Sequence, residues 1–499
     1  MMAGTQRALI GKTALTLAMA FAPGAVGAQA GRGPEDLMVT AGPTAGAAIS
    51  PVVRATPAQT AGVRLGTPPP LAPAASPAPA PTGKPPAAPA ATPPVAHPAP
   101  VTYVRGPTPQ PVMVWTTDDA EALLQVIGEI DAEGLIAADY QPQALRAAID
   151  AGPGPALDAQ ASRSFDWLVE DLRDGRTPMD ARIQWFAVDP DAEVTPTAQV
   201  LAEALASHDI AGTLAKLEPS YPDFTSLKQA LALTPPGDKR MRDQIRINMD
   251  RWRWLPRDLG TIYLITNVPE FQLRLSVNGR AIRTYRTIVG KPGRTATPQL
   301  AETVEAVVFN PTWTVPQSIV VGEGLGAKLA GNPKSALRQG YKVTRAADGT
   351  ISIVQQPGNR NSLGRMKIDM PNPHAIYLHD TPGKALFNAK VRAFSHGCIR
   401  TDRAVELGIT MGILAGNLTP AESVALYKSQ KYKRLIMAKT FPVYITYFTM
   451  GRNIDGQLAS FADIYGRDAP VLDHFAKPRE MKTVQRVSTQ EVIVSDNPL

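Results

Sequence analysis

The strongest restriction on the fold is a long stretch rich in proline, alanine and threonine between Gly42 and Pro111. The chain of 499 residues contains 48 prolines, and they are concentrated in this part of the sequence. The stretch has no apolar periodicity, so it cannot bury a hydrophobic core. We predict a disordered, semi-rigid linker over residues 31–112, in which the stretch from Gly42 to Pro111 has an upper reach on the order of 200 Å at ~3.1 Å per residue. Folded domains must therefore follow it.

Residues 1–30 have the pattern of an export signal. Arg7 and Lys12 supply the charged start, residues 14–22 are apolar, and Ala28-Gln29-Ala30 is a small-residue cleavage pattern. The apolar part is shorter than the ~20 residues that span a bilayer. We therefore expect the protein in the periplasm or cell envelope, with weak membrane association only if the signal stays attached.

Charge and cysteine usage narrow the possible functions. Lys and Arg total 51 against 44 Asp and Glu, which suits an anionic polymer as partner, and no basic and aromatic cluster indicates nucleic acid. The chain has one cysteine, Cys398, which cannot form an internal disulfide. A buried inert thiol is the ordinary interpretation of such a residue. Outside the cytoplasm, where paired cysteines oxidise, a single retained thiol favours a chemical role.

The hydrophobic pattern divides the rest of the chain into an α and a β part, so the fold class is multi-domain α+β. Apolar residues recur at helical spacing over residues 113–256, which predicts a helical scaffold domain without evident chemistry. The period changes to that of strands near Gly260, and a mostly-β domain is predicted over residues 257–478. Residues 479–499 are polar, and we expect a flexible C-terminal tail.

The candidate nucleophile is Cys398. It follows Gly397, which permits a close approach of the backbone to a substrate. A helix is predicted over residues 402–415 with Thr401 as its cap, and its N-terminus would lower the thiol pKa. Backbone N–H groups of the same turn would face a developing oxyanion.

A thiol nucleophile needs a base, and two histidines are candidates. His396 is too near in sequence to face the sulfur well, whereas His379 ends a predicted strand, so we prefer His379. On spacing alone the pairing is weak, and His379 could equally be a structural histidine. A zinc site from His374, His379, His396 and Cys398 is disfavoured, because their spacing fits no usual zinc pattern.

These residues lie in motifs that resemble one family. Ser395-His396-Gly397-Cys398-Ile399-Arg400 resembles the cysteine motif of the L,D-transpeptidase (YkuD-type) family, and Tyr377-Leu378-His379-Asp380-Thr381-Pro382 is similar to its histidine motif. Other similar segments are Asn310-Pro311-Thr312-Trp313, Val315-Pro316, Pro357-Gly358 and Asn361-Ser362-Leu363-Gly364. The segments that resemble the large Gram-negative scaffold-containing (YcbB-like) members are residues 248–256, 447–449 and 463–466.

The resemblance implies a peptidoglycan transpeptidase without a cofactor. Its site would use Cys398 as nucleophile and His379 as proton donor and acceptor. The turn and oxyanion site would comprise Ser395, His396 and Gly397, and Arg400 would order the loop through hydrogen bonds. The donor and acceptor would be peptidoglycan stem peptides, and the terminal D-alanine would leave. Asn310 and Trp313 are the remaining predicted substrate-site residues.

The resemblance leaves three functions open. The same acyl-enzyme resolved by water would make the chain an L,D-carboxypeptidase or another cell-wall hydrolase, and a third possibility is a non-enzymatic wall tether.

A glycine-containing lid is implied over residues 317–356. The inserted peptidoglycan-binding module of many large members is predicted to be absent, since only residues 234–238 separate helical segments.

Overall fold

The computed structural model of the chain describes residues 111–187, 194–322, 324–479 and 487–494. The predicted export signal lies outside the described residues, as does nearly all of the predicted linker. Among the residues that are described, no helix is long and apolar enough to cross a membrane.

The first described domain is helical, as its sequence pattern predicts. Its helices are α1 Thr117–Glu129, α2 Pro142–Asp150, α3 Pro155–Asp174, α4 Thr197–Ser207, α5 Ile210–Ala215, α6 Pro222–Leu233 and α7 Lys239–Arg253. The cap of α1 is Thr116, whose side chain accepts a hydrogen bond from the Asp119 N–H. Leu123 and Ile127 recur four residues apart on α1 and pack against Phe165 and Leu168 of α3 in one buried cluster.

The second domain consists mainly of strands. They are β1 Ile262–Asn267, β2 Gln272–Val277, β3 Arg280–Gly290, β4 Leu300–Phe309, β5 Trp313–Thr314, β6 Tyr341–Arg345, β7 Ile351–Gln355, β8 Met366–Asp369, β9 Leu378–His379, β10 Ala393–Ser395, β11 Ile399–Thr401, β12 Lys433–Thr446, β13 Met450–Arg452 and β14 Leu458–Ser460. Its helices are α8 Gln317–Gly322, α9 Leu325–Ala330, α10 Pro333–Arg338, α11 Ala404–Leu414, α12 Pro420–Lys428 and α13 Asp468–Phe475.

The main sheet has nine strands in the order β10-β3-β11-β9-β8-β4-β12-β1-β2, and β2 also pairs with β3. That last pairing closes the sheet into a barrel, with β10 beside it. The dipeptide Asn278-Gly279, which is typical of tight hairpin turns, joins β2 to β3, and both residues have the positive φ that such a turn requires, +49° and +73°. The barrel interior is filled by alternate apolar side chains such as Leu264, Leu273 and Leu275.

Strand β1 connects the two domains, because its two faces pack in different apolar clusters. Leu264 points into the barrel core, whereas its neighbours Tyr263 and Ile265 pack in a second cluster with Trp252 of α7. Trp252 stacks on Phe448, with ring centroids 4.3 Å apart. The scaffold and the barrel therefore share a continuous apolar contact, whose burial is favourable at about 25 cal/mol per Å².

The predicted lid, residues 317–356, is a small folded unit with its own core. It contains α8, α9 and α10 and the strands β6 and β7, and β7 also pairs with β5. Val320, Leu329, Ala336 and Ile353 are buried in its apolar cluster. The lid is therefore a packed unit rather than a loose glycine-rich loop.

The prediction of a flexible tail from residue 479 onwards is wrong at its first residue, because Arg479 is buried. Arg479 is buried between Glu170 and Asp171 of α3, with nitrogen–oxygen distances of 2.7 and 3.0 Å. Farther on, the Gln490 side chain accepts from the Gln184 N–H at 2.7 Å and donates to the Arg182 carbonyl at 2.9 Å. The polar composition is misleading here, because these polar groups find partners on the scaffold.

Candidate active site

Cys398 and His379 are brought together by two neighbouring parallel strands. Cys398 directly precedes β11, and His379 is the last residue of β9. In the register of the two strands, Ile399 pairs with Leu378 and Arg400 pairs with His379. Ile399 and Leu378 lie in the barrel core, and Cys398 belongs to the same buried cluster. Cys398 and His379 are both fully buried.

The imidazole of His379 is held by the backbone of the next residue. Nδ1 lies 2.5 Å from the Asp380 carbonyl oxygen, an acceptor, so Nδ1 carries the ring hydrogen. No described residue hydrogen-bonds Nε2, which is therefore left with its lone pair. Burial lowers the pKa of His379 to about 3, helped by the charges of Arg400, Lys367 and Lys384. The ring is a neutral base at physiological pH.

The turn that carries the cysteine is built from its own polar atoms. The Ser395 hydroxyl donates to the Cys398 carbonyl at 2.6 Å and accepts from the Gly397 N–H at 3.2 Å. Gly397 has φ +123°, a conformation that side chains with a Cβ rarely adopt. His396 lies between these residues, partly buried. The predicted roles of Ser395 and Gly397 in shaping the turn agree with these bonds.

The helix predicted over residues 402–415 is present as α11, Ala404–Leu414, but the prediction that Thr401 caps it is wrong. Thr401 belongs to β11, and α11 begins at Ala404 after Arg403, which has φ +49°. Strand β11 pairs with both β3 and β9, and these long-range bonds take precedence over the local capping signal of Thr401. The positive end of a helix dipole acts within about one turn, so α11 gives the thiol no direct support.

The sulfur of Cys398 faces a loop carbonyl. Sγ lies 3.6 Å from the carbonyl oxygen of Ala375, a residue with φ +53°. In the preceding residue, His374, the ring centroid lies 4.1 Å from that of Phe186. Its Nδ1 lies 3.3 Å from the Ile493 carbonyl oxygen. The loop behind the thiol is thus fixed from the scaffold side and from the C-terminal segment.

Tyr377 connects the reactive pair to the lid. Its ring centroid is 5.6 Å from that of His379, and it packs against both the barrel core and the lid core. Burial, followed by the charge of Cys398, raises the pKa of Tyr377 well above its ordinary value. Because the thiol and the imidazole are completely covered, a substrate reaches them only after a covering element moves.

Asn310 and Trp313 lie around the base of the lid. The Asn310 side chain donates to the carbonyls of Leu426, Tyr427 and Lys431 at 3.0 to 3.2 Å and accepts from Arg365 at 2.8 Å. These bonds occupy its amide, so its visible role is to fix the end of β4. Trp313 is buried in the lid cluster.

Arg400 does not order the loop in the predicted way. Among the described residues, none hydrogen-bonds its guanidinium, which is partly buried beside His379. The bond that orders the turn comes from Thr297, which sequence reasoning missed. Its hydroxyl donates to the Gly397 carbonyl at 2.7 Å and accepts from the Gly290 N–H at 2.9 Å. Thr297 is 101 positions before the cysteine and belongs to no recognised motif, so no local signal marks it.

The described side chains do not assemble the alternative metal site. No group of three or more His, Cys, Asp or Glu in the described ranges is arranged to hold a metal ion. His374 is turned instead towards Phe186 and Ile493. The arrangement that does exist is a thiol and a neutral imidazole on neighbouring strands, which suits nucleophilic acyl transfer.

Comparison with known proteins identifies two domains in the chain. Residues 261–407 match the YkuD L,D-transpeptidase catalytic domain, and residues 109–231 match a scaffold domain. The chain therefore carries a YkuD-type L,D-transpeptidase catalytic domain next to a scaffold domain. The scaffold domain beside it agrees with the scaffold-containing (YcbB-like) members.

Individual relatives are more distant. A Haemophilus influenzae protein named provisionally as an L,D-transpeptidase is 29% identical over 260 residues, which is 49% of this chain and 52% of the relative. The chain thus matches about half the length of that relative. An L,D-transpeptidase structure from Mycobacterium smegmatis shares 15% identity over 37% of this chain and 58% of its own, with a TM-score of 0.19. L,D-transpeptidase 3 of Mycobacterium tuberculosis shares 12% over 37% and 61%, with a TM-score of 0.20. Overlaps this weak carry no argument about the fold.

Proposed function

We propose that the chain forms cross-links in peptidoglycan through an acyl-enzyme on Cys398. The observation that carries this proposal is the placement of a thiol and a neutral imidazole on adjacent strands of a matched L,D-transpeptidase domain. The donor is a stem tetrapeptide, attacked at the carbonyl of the L-centre of its third residue. The acceptor is the side-chain amine of a second stem.

The first half-reaction forms a thioester. His379 Nε2 takes the proton of the Cys398 thiol while Sγ attacks the carbonyl carbon. The carbonyl oxygen becomes an oxyanion, which backbone N–H groups of the Ser395–Cys398 turn stabilise. The C–N bond to the terminal D-alanine then breaks, and the imidazolium returns the proton to the departing amine.

The second half-reaction resolves the thioester. The acceptor amine attacks the same carbonyl carbon and gives a proton to Nε2, the new amide bond forms, and the C–S bond breaks. The proton then returns to the sulfur, which restores the thiol and the neutral imidazole. Both half-reactions need the imidazole as a neutral base at their start, and its burial and cationic neighbours supply that state.

Hydrolysis is the competing fate of the thioester, and the lid favours the amine. The lid has a core of its own and packs against Tyr377, beside His379. A closed cover of this kind excludes water from the reactive intermediate. An L,D-carboxypeptidase, the alternative function, would need water to enter as the acceptor does.

Export and tethering complete the proposal. The sequence of residues 1–30 supports delivery to the cell envelope, where peptidoglycan lies. The proline-rich stretch then holds the two folded domains away from their point of attachment, or lets them range through the wall.

The thioester itself provides the test. The protein is incubated with a disaccharide-tetrapeptide, quenched in acid and weighed intact by mass spectrometry. The wild type should gain the mass of a disaccharide-tripeptide acyl group, while Cys398→Ala should gain nothing. A wild type that consumes the donor without carrying this adduct under any quench time would refute the covalent route.

A further inference from the structure

We propose that Arg467 and Thr297 are positioning residues that aim the Gly397–Cys398 peptide, and that through them the scaffold domain is coupled to the nucleophile. This inference rests on the proposed function, because it concerns the acylation of Cys398. The two residues lie far apart in the sequence and are joined by a hydrogen bond. Neither of them touches the reacting atoms.

Thr297 fixes the peptide bond that precedes the nucleophile. Its hydroxyl donates to the Gly397 carbonyl at 2.7 Å and is itself held by the Gly290 N–H at 2.9 Å. A peptide unit is planar and trans, so its C=O and N–H point in opposite directions. Anchoring the Gly397 carbonyl on Thr297 therefore also directs the Cys398 N–H away from Thr297, towards the substrate side of the turn.

Thr297 is in turn held from both ends of its backbone. Its N–H donates to the Tyr465 hydroxyl at 3.3 Å, and that hydroxyl donates to the Gly290 carbonyl at 2.6 Å. Position 290 admits only glycine, since an added Cβ would lie 1.9 Å from the Thr295 carbonyl oxygen. The Thr297 carbonyl accepts from Arg467 Nη2 at 3.1 Å.

Burial of the Arg467 charge is energetically unfavourable, and a purely structural site would not require it. It is 3% exposed, its Nη1 has no partner among the described residues, and no described carboxylate forms an ion pair with it. The guanidinium contacts the rings of both Tyr447 and Tyr465, 4.9 and 4.8 Å from their centroids. Burying a charge without an ion pair is costly. Cation–π contacts offset part of this cost. The guanidinium also hydrogen-bonds Thr297, which in turn binds the Gly397 carbonyl next to the nucleophile.

The same guanidinium reaches the scaffold. Arg467 Nη2 also donates to the Gln184 side-chain oxygen. The Gln184 carbonyl accepts from the Gln299 N–H at 2.8 Å, two residues after Thr297. One nitrogen of Arg467 thus joins the scaffold segment to the residue that aims Cys398. Displacement of Gln184 would be transmitted to the turn through three successive hydrogen bonds, from Gln184 to Arg467, from Arg467 to Thr297 and from Thr297 to Gly397.

The test separates orientation of the peptide from reactivity of the thiol. Acylation by a carbapenem passes through an oxyanion, because sulfur adds to the β-lactam carbonyl before the C–N bond opens. Alkylation by iodoacetamide displaces iodide directly and forms no oxyanion. Thr297→Val removes the hydroxyl with little change of volume. In the full-length protein it should slow acylation roughly 10- to 100-fold, while the alkylation rate changes less than about twofold.

Two further variants and a control complete the design. Thr297→Ser should restore acylation, because it returns the hydroxyl. Arg467→Lys should show the same selective loss as Thr297→Val, because an ammonium cannot reproduce the planar donors of the guanidinium. The matched control is Thr287→Val, at a buried threonine of β3 whose hydroxyl has no described partner. Its acylation rate should match that of the wild type.

The outcomes are distinct. A selective loss of acylation that Thr297→Ser rescues supports the inference. Equal losses of acylation and alkylation in Thr297→Val, no loss at all, or an equal loss in Thr287→Val would overturn it. Failure of the wild type to acylate with carbapenem or tetrapeptide, with a thiol that still alkylates, would instead overturn the proposed function, and this inference with it.

Discussion

His379 Nδ1 lies 2.5 Å from the carbonyl oxygen of Asp380. The adjacent backbone therefore selects the tautomer, and no side chain is needed to orient the ring. The Asp380 carboxylate is used elsewhere, since it accepts from the Arg365 N–H at 2.8 Å and pairs with Lys384. The imidazole is thus neutral and oriented through Nδ1, and its Nε2 can accept a proton.

The acid side of the pH–rate profile should be unusually low. Burial and three nearby cations lower the pKa of His379 to about 3, so the base stays unprotonated in mildly acidic solution. We expect kcat/KM to stay level from pH 7 to roughly pH 4 and to fall below that. The profile is measured with tetrapeptide donor at subsaturating concentration. An acid limb with a midpoint near the ordinary histidine value of about 6.5 would contradict the assignment.

The same lowered pKa makes stability depend on pH. The unfolded histidine titrates near 6.5 and the folded one at about 3, so between these values the unfolded state binds the extra proton. The contribution is complete above pH 6.5 and is lost as the pH falls. Wild type should lose about 2 kcal/mol more free energy of unfolding than His379→Gln between pH 7.5 and pH 5. Urea unfolding measures the difference, and equal losses would argue against a buried neutral ring.

Loosening the lid core should change access without unfolding the barrel. Ile353→Ala removes a fully buried side chain of the lid cluster, at a cost of about 2–5 kcal/mol. Because the lid is a separate cluster, we expect faster hydrogen exchange there and a larger hydrolysed fraction of product. The matched control is Ile368→Ala, a fully buried barrel residue, which should lower global stability. Identical exchange patterns in both variants would show that the lid is not an independent unit.

Arg479 should contribute far more to stability than a surface arginine. Arg479→Met leaves Glu170 and Asp171 buried without their cation, a change that costs about 3–5 kcal/mol. The control is Arg146→Met, whose pair with Glu121 is nearly half exposed and therefore contributes little to stability. Thermal unfolding of both variants measures the contrast. A small loss in Arg479→Met would mean that the C-terminal anchor is dispensable.

The sequence predicts the parts of this fold that depend on local pattern. The amphipathic spacing of Leu123 and Ile127 predicts α1, and Asn278-Gly279 predicts the hairpin between β2 and β3. The family motifs point to Cys398 and His379, and the structure brings the two strands together. For α1 and the hairpin, the residues that determine the local structure lie within the element itself.

The remaining features depend on contacts between distant segments. Thr401 is a plausible helix cap in isolation, but β11 extends through it because β3 and β9 supply hydrogen bonds on both sides. Arg479 lies in a polar segment that resembles a frayed tail. Its side chain nevertheless binds Asp171, a residue more than three hundred positions earlier. The role of Thr297 likewise follows from register and closure of the barrel, which hydrophobic periodicity does not specify.

Product analysis tests the central claim most directly. The purified protein and its Cys398→Ala variant are each incubated with a disaccharide-tetrapeptide, and the products are followed by mass spectrometry. The account predicts a dimer that lacks one D-alanine, formed by the wild type and absent with the variant, and fragmentation would identify the linkage. A tripeptide monomer as the sole product would contradict transpeptidation and establish the hydrolase, and turnover by Cys398→Ala would contradict the cysteine mechanism itself.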